Sequence, residues 1–149
     1  MYQLNLPAFD VKIKKENGKL SVFDKLRKKY IALTPEEWVR QHFVNYLISE
    51  KNYPDMLITN EIQINLNGQK KRCDTVVYNN QLEPLVIIEY KSPDVKISQQ
   101  VFEQIVHYNI VLKVKYLIVS NGINHYCCKM NYQDQSFEYL KQIPAFAEL

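Results

Sequence analysis

A run of four consecutive apolar residues, Leu85–Ile88, passes directly into the charged tripeptide Glu89-Tyr90-Lys91. An uninterrupted apolar run of strand length predicts a β-strand that is covered on both faces. Such a strand needs a layer on each side of its sheet, and helices supply these layers in α/β proteins. The run therefore favours an α/β fold, and it places two opposite charges beside a buried strand.

The flanking segments predict the rest of the architecture. Thr34-Pro35-Glu36-Glu37 combines a helix cap, a first-turn proline and the acid of a capping box, and the helix should reach about Glu50. Ser98 can cap a second helix that ends near Leu112. Strand-like runs separated by turns are Val11–Lys15, Leu20–Phe23, Leu57–Leu66, Arg72–Tyr78, Leu85–Lys91, Tyr116–Ser120 and Asn124–Asn131. We expect a central mixed β-sheet flanked by helices, with an N-terminal β-hairpin.

Length and charge suggest how the chain is organised. The 149 residues, 46% of them hydrophobic, suit one domain over residues 1–149. We divide it into a basic N-terminal hairpin or arm (1–33), a core (34–131) and a C-terminal extension (132–149). The arm has eight Lys or Arg and three Asp or Glu, hence a charge of +5, against +3 for the whole chain. It is either a phosphate-contacting arm or a solvated basic surface.

Cysteine usage and hydropathy bear on the cellular setting. The three cysteines, Cys73, Cys127 and Cys128, include no Cys-x-x-Cys pair, so we expect no zinc site and reduced thiols. The N-terminus lacks the order of a signal peptide, and no apolar run approaches the ~20 residues that span a bilayer. These features predict a cytoplasmic protein without a membrane partner.

The charged tripeptide and a preceding aspartate form the most informative group. Glu89 and Lys91 share one face of their strand because side chains two apart point the same way. Asp74 lies in the strand before, so a hairpin-length connection can bring it beside Glu89. Two carboxylates suit Mg²⁺, and a neighbouring lysine can orient a water and stabilise negative charge, as phosphodiester hydrolysis requires. The alternative is an ordinary Glu–Lys pair at a strand end.

Two further groups accompany this constellation. Gln104 and Tyr108 are four residues apart in the second helix, so they share a helix face that we expect to lie against the sheet. The alternative is a core glutamine bonded to backbone and a core tyrosine. Lys70, Lys71 and Arg72 follow the Asn67-Gly68 turn and can reach phosphates, or they form a solvated turn.

The pattern Asp74…Glu89-Tyr90-Lys91…Gln104-x-x-x-Tyr108 resembles that of PD-(D/E)xK nucleases, with the Gln-x-x-x-Tyr element of their RecB-like branch. More closely, residues 34–121 resemble the N-terminal nuclease domain of type I restriction enzyme R subunits. The stretches that carry this resemblance are TPEEWVRQHFVNYL, KRCDTVVY, PLVIIEYKSPD and QIVHYN. Cys73 stands where the motif has its namesake proline, which does no chemistry. The chain has no Gly-x-x-x-x-Gly-Lys-[Ser/Thr] loop and no room for two helicase domains, so we expect no motor here.

The resemblance implies a restriction-endonuclease-like core that cleaves DNA with Mg²⁺, or with Mn²⁺ as a second candidate. Asp74 and Glu89 become metal ligands and Lys91 the catalytic lysine, so residues 34–131 become the catalytic core. Gln104 becomes a residue of the catalytic site, and with Tyr108 it forms the helix element that supports the site or touches DNA. Tyr108 joins Lys70, Lys71 and Arg72 as DNA-binding candidates. DNA is then the partner, other restriction-system subunits are candidate partners, and a homo-oligomer is compatible with the sequence. The rival hypothesis is a nuclease-fold module that binds nucleic acid or protein without cutting.

Such nucleases often place an acidic residue of the first helix near the metal, and two candidates are adjacent here. At ~100° per residue, the apolar stripe of this helix (Val39, Phe43, Tyr46 and Leu47) centres near Glu36. Glu37 has its own explanation as the capping-box partner of Thr34. We therefore expect Glu36 to face the metal, against the alternative that it pairs with Arg40.

Overall fold

The computed structural model describes residues 1–149, which form nine strands, two α-helices and three short 3₁₀ segments. The N-terminal strands are β1 (Ile13–Glu16), β2 (Lys19–Asp24) and β3 (Lys29–Ala32). Helix α1 (Pro35–Glu50) precedes β4 (Ile58–Leu66), β5 (Gln69–Tyr78) and β6 (Pro84–Tyr90). Helix α2 (Gln99–Asn109) is followed by β7 (Tyr116–Ser120), β8 (His125–Asn131) and β9 (Ser136–Leu140). The 3₁₀ segments are Asp55–Leu57, Ile110–Leu112 and Phe146–Glu148.

The main sheet has six strands in sequence order, β4-β5-β6-β7-β8-β9. Only β6 and β7 are parallel, and the crossover between them contains α2. Every other neighbouring pair is antiparallel. The predicted α/β fold with a mixed sheet is confirmed.

The two α-helices cover opposite faces of this sheet. Val86, Ile88 and Tyr90 of β6 belong to the core cluster that contains the buried α1 residues Val39 and Phe43. Ile87 lies in the other cluster, which contains the α2 residues Phe102 and Val106. The continuous apolar run is thus buried on both faces, as the sequence predicted.

Helix α1 begins where its capping residues predict. The Thr34 hydroxyl oxygen accepts a hydrogen bond from the Glu37 backbone N–H at 3.0 Å, and Pro35 occupies the first turn. At the other end, the N–H groups of Lys51 and Tyr53 both donate to the Leu47 carbonyl. Asn52 lies between them with φ of +59°, a left-handed conformation that asparagine tolerates.

Two strands go beyond the expected architecture. The stretch 24–33 contains β3, which pairs with β2, so the N-terminal hairpin is a three-stranded sheet. The stretch 132–149 contains β9, which pairs with β8 and forms an edge of the main sheet. The same stretch buries Ile143, and the Pro144 carbonyl accepts a hydrogen bond from the Tyr53 hydroxyl. The C-terminal extension therefore belongs to the main sheet and contributes to the core.

The cysteines are free and buried in this core. Burial raises the pKa of Cys73 to about 11 and that of Cys127 and Cys128 to about 12. The thiols therefore stay protonated near neutral pH and have little nucleophilic or metal-binding character. None of the helices has both the length and the apolar character needed to cross a bilayer.

Candidate functional site

Asp74 and Glu89 lie side by side where β5 and β6 meet. The last paired positions of the two strands are Thr75 and Ile88, so Asp74 and Glu89 are the next residues on each strand. Glu89 points to the same face as Ile87, the face that carries α2, because the two residues are two apart. The Asp74 carboxylate lies close enough to Glu89 to raise the pKa of Glu89. The structure brings the two carboxylates together as the sequence predicted.

Asp74 is held at its side chain and at its backbone. Its Oδ2 accepts a hydrogen bond from the Tyr90 backbone N–H at 2.9 Å. Its carbonyl oxygen accepts one from the Arg40 guanidinium at 3.0 Å. The first contact ties the carboxylate to the neighbouring strand, and the second ties the backbone to α1. Both contacts therefore fix where the Asp74 carboxylate stands beside β6.

Glu89 is largely buried, with 18% of its side chain exposed. Burial raises its pKa above the ordinary value, and the nearby Asp74 carboxylate raises it further. Lys71 acts in the opposite direction, because its ammonium nitrogen lies 2.6 Å from Glu89 Oε1. The net direction is upward, so an ionised Glu89 at this position needs a positive partner.

Lys71 provides that partner from inside the protein. Besides Glu89, its ammonium contacts Asn109 Oδ1 at 2.5 Å and lies 4.3 Å from the centre of the Tyr108 ring. Only 9% of the side chain is exposed. The sequence predicted Lys71 as a phosphate contact on a turn, whereas the structure places it in β5 with its charge directed into the site.

Glu89 and Lys91 open onto one cleft of about 370 Å³ between β5, β6 and α2. Gln104, Tyr108 and Lys71 also line it. Lys91 is half-buried and makes no ion pair, so its ammonium is available to a ligand in the cleft. A larger cavity of about 470 Å³ beside the start of α2 has a mostly apolar lining and contains none of these groups.

The expectation that Gln104 and Tyr108 lie against the sheet is wrong. Both are exposed, Tyr108 by 67%, and the buried face of α2 consists of Phe102, Val106 and Asn109. Because those three residues face the sheet, Gln104 and Tyr108 are turned toward the rim of the cleft. They remain next to the site, since both line the cleft.

Lys70 and Arg72 alternate with Lys71 along β5 and are exposed. Arg72 lines the cleft, and its Nε lies 3.0 Å from Glu61 Oε2. The Arg72 side chain is 69% exposed, so this surface pair constrains it little. Lys70 and Arg72 thus remain accessible for a phosphate, whereas the Lys71 ammonium is already paired with Glu89.

A buried ionic network behind Asp74 was not visible in the sequence. The carboxylate of Glu37 accepts two hydrogen bonds from Arg27 at 2.9 Å and one from Gln41 at 2.9 Å. Arg40 approaches Glu37 at 3.4 Å and donates to Glu61 at 2.6 Å. Burial disfavours the charge on Arg40, but Glu37 and Glu61 outweigh burial and raise its pKa. Since Arg40 also holds the Asp74 carbonyl, the network links α1 to the site.

Glu36 was expected to align with the buried stripe of α1 and to face the metal, but the structure does not place it on the buried face. Glu36 is exposed, whereas Glu37 is buried and turned toward Arg27 and Arg40 instead of closing a capping box. The spacing of apolar residues alone does not define the buried face of this helix. Helix α1 also buries a polar stripe that comprises Glu37, Arg40 and Gln41, and ion pairing is what allows these groups inside.

Glu61 adopts an unusual backbone conformation opposite Asp74. Its φ is +53° in the middle of β4, where a non-glycine residue is strained. The neighbouring positions Asn60 and Ile62 pair with Thr75 and Cys73, so the missing pair of the ladder is Glu61 with Asp74. Glu61 instead directs its carboxylate to Arg40 and Arg72. No pattern in the sequence marks this residue.

The side chains present fit a hard divalent cation with few protein ligands. No group of three or more His, Cys, Asp or Glu side chains is arranged to hold a metal ion. Mg²⁺, however, is commonly bound by one or two carboxylates and keeps several waters. Asp74 and Glu89 offer such a pair, and Glu89 already has a cation beside it in Lys71. Zinc or another metal that requires a closed set of ligands does not fit.

Comparisons with known proteins identify the family of the chain and a solved structure with the same fold. The sequence model of the family described as type I restriction enzyme R protein N terminus matches residues 35–144. Among solved structures, a fragment assigned to the HsdR subunit of a type I restriction enzyme from Vibrio vulnificus is similar, with a TM-score of 0.52 and 19% identity. The match covers 77% of this chain and 24% of that one, and at this identity it shows a shared fold. No curated protein matches the sequence.

Proposed function

This chain belongs to the family of type I restriction enzyme R protein N-termini, and on that premise we propose that it is a metal-dependent nuclease module of a restriction system, acting on DNA. The proposal makes it a member of the PD-(D/E)xK nucleases. The observation that carries it is the position of the Asp74 carboxylate beside Glu89, together with the cleft that Glu89 shares with Lys91.

Asp74 and Glu89 are the residues that would hold Mg²⁺ or Mn²⁺, which when bound supplies a water of lowered pKa and neutralises charge on the phosphate. Asp74 is suited to this task because the Tyr90 N–H fixes its carboxylate and Arg40 fixes its backbone. Glu89 is suited because its burial makes a positive partner necessary.

Lys91 acts on the scissile phosphate in this proposal. Its backbone N–H donates to the Ser120 carbonyl at 2.9 Å, so its main chain is anchored to β7 while its ammonium is unpaired. An ammonium in this position can donate hydrogen bonds to the attacking water and to the phosphoryl oxygens as negative charge develops. Gln104 and Tyr108 at the rim would contact the nucleotide next to that phosphate.

DNA fits the cleft because cationic side chains line it. Lys91 and Arg72 are among the lining residues, and exposed Lys70 precedes Lys71 on β5. Such a group supports affinity for the phosphate backbone that does not depend on sequence. The structure that the chain resembles is about four times longer than the matched region, since the match covers 24% of it. We propose that sequence recognition and movement along DNA reside in other parts or subunits of the system.

A plasmid assay tests this function. Supercoiled DNA is incubated with the protein in Mg²⁺, in Mn²⁺ and in chelator, and nicked and linear products are followed with time. We expect products only with a divalent metal, and none from Lys91→Ala. Lys96→Ala is the matched control, because Lys96 is an exposed lysine outside the cleft, and it should cut normally. Cutting in chelator, or equal cutting by Lys91→Ala and Lys96→Ala, contradicts the proposal.

Binding of DNA without cleavage is the second candidate function. The Lys71–Glu89 ion pair favours it, because it satisfies Glu89 without any metal. This function predicts unchanged plasmid in every metal together with retention of DNA in a mobility-shift assay. The same samples therefore separate the two functions.

A further inference from the structure

Residues from two elements, β6 and α2, surround the Lys71 ammonium. Its nitrogen contacts Glu89 on β6 and Asn109 on α2, and it lies over the ring of Tyr108. Asn109 is buried, and its amide nitrogen donates to the Ile105 carbonyl at 2.7 Å. This bond turns the amide so that its oxygen faces Lys71. An ordinary surface lysine has no such fixed acceptor, so the position of Lys71 is specific.

The Lys71 ammonium in this position would repel a metal ion bound to Glu89. A divalent cation bound to Asp74 and Glu89 would lie close to the Lys71 ammonium, and like charges at such distances repel strongly in a partly buried site. Glu89 Oε1 is already engaged by Lys71 at 2.6 Å. The metal and Lys71 therefore compete for one carboxylate.

A phosphate can relieve this competition. The lysine side chain is flexible, and Lys71 stands on β5 directly beside Arg72, which lines the same cleft. An entering DNA phosphate would offer the ammonium another anion.

We propose that Lys71 is a built-in counter-cation that occupies Glu89 while DNA is absent, and that it transfers to a DNA phosphate as the divalent cation binds. This inference rests on the proposed metal site at Asp74 and Glu89. It assigns Lys71 a positioning role beyond that of a simple phosphate contact, because it couples metal binding to DNA binding.

Metal titration of the DNA-free protein tests the competition. Mn²⁺ binding is measured by calorimetry at pH 8 for the wild type and for Lys71→Met. We expect the Mn²⁺ dissociation constant of Lys71→Met to be about tenfold lower than that of the wild type. A tenfold change corresponds to removal of ~1.4 kcal/mol of competing ion-pair energy. Lys70→Met is the matched control, because it removes the same charge from the adjacent exposed residue, and it should bind Mn²⁺ like the wild type. If Lys71→Met does not fold, as judged by circular dichroism, Lys71→Gln replaces it.

Asp74→Asn separates failure of this inference from failure of the proposed site. Loss of Mn²⁺ binding in Asp74→Asn, with tighter binding in Lys71→Met alone, supports both. Loss in Asp74→Asn with unchanged or weaker binding in Lys71→Met overturns the role of Lys71 and leaves the site intact. Unchanged Mn²⁺ binding in Asp74→Asn overturns the site, and the role of Lys71 with it.

Coupling to DNA gives a second readout that a purely structural lysine would not change. The affinity for a labelled short duplex is measured by fluorescence anisotropy in Ca²⁺, another cation that takes oxygen ligands, and in chelator. The ratio of the two constants measures how strongly metal and DNA favour each other. We expect a larger ratio in the wild type than in Lys71→Met. Equal ratios would show that Lys71 does not connect the two ligands.

Discussion

Arg40 and Arg72 contact the same carboxylate, that of Glu61, from two different environments. The Arg40 side chain is 5% exposed and lies 2.6 Å from Glu61, whereas Arg72 is 69% exposed and lies 3.0 Å from it. Replacing each arginine by methionine keeps much of the apolar stem and removes the charge. The pair of variants therefore compares a buried arginine with an exposed one that contacts the same carboxylate.

The expected loss for Arg40→Met is about 3 kcal/mol of unfolding free energy. Two buried hydrogen bonds from a charged donor disappear, one to Glu61 and one to the Asp74 carbonyl. Each contributes ~1.5–3 kcal/mol to stability. The variant no longer has to desolvate a buried guanidinium, and this gain offsets part of the loss. No carboxylate is left alone, because Glu37 keeps Arg27 and Glu61 keeps Arg72. Arg72→Met should cost at most ~1 kcal/mol.

Thermal and urea unfolding followed by circular dichroism measure both variants. For a chain of this size, ~3 kcal/mol corresponds to a fall in Tm of roughly 6–12 °C, and ~1 kcal/mol to no more than about 4 °C. If Arg40→Met loses no more stability than Arg72→Met, the buried network does not support the fold.

Three further expectations concern charged groups outside the cleft. Burial raises the pKa of Asp24, but the Arg27 backbone, Asn60 and the Arg27 side chain outweigh it and lower the pKa below its ordinary value. Its stabilisation is complete above the unfolded pKa of ~3.9 and disappears as pH falls through the lower folded pKa, so Asp24→Asn should flatten the acid limb of a Tm-against-pH curve. Glu37→Gln should destabilise the protein by about 3 kcal/mol in urea unfolding, whereas exposed Glu36→Gln should change it by less than ~0.5 kcal/mol. Changing Lys15 and Lys19 to Gln should reduce the log–log salt slope of duplex binding by ~0.9 for each phosphate that the protein no longer neutralises, and an unchanged slope removes both from the interface.

Much of the fold follows from local sequence signals. The cap at Thr34 located the start of α1, and the Asn-Gly turns and apolar runs located β1, β2 and β4 to β8. The strands β3 and β9 were missed because each has weak alternation and depends on a neighbouring strand for its pairing. Strand propensity alone does not predict such edge strands, because packing against the partner strand determines whether they form.

The candidate site was predictable only in part. The i, i+2 relation predicted that Glu89 and Lys91 share a face of their strand. The hairpin that precedes them predicted that Asp74 lies beside Glu89. The contacts of Lys71 with Glu89 and Asn109 join residues 18 and 38 positions apart, and no local pattern reports such contacts. The ionic network of Arg40 was not predictable either, because a polar stripe on a helix has the same sequence pattern whether it is buried or exposed to solvent.

Diffraction from crystals soaked in Mn²⁺, with data collected for its anomalous signal, tests the proposed metal site most directly. We expect an anomalous peak between the carboxylates of Asp74 and Glu89, with the Lys71 ammonium displaced from Glu89. A peak elsewhere, or no peak while Lys71 stays on Glu89 at saturating Mn²⁺, would contradict a metal site at these two carboxylates.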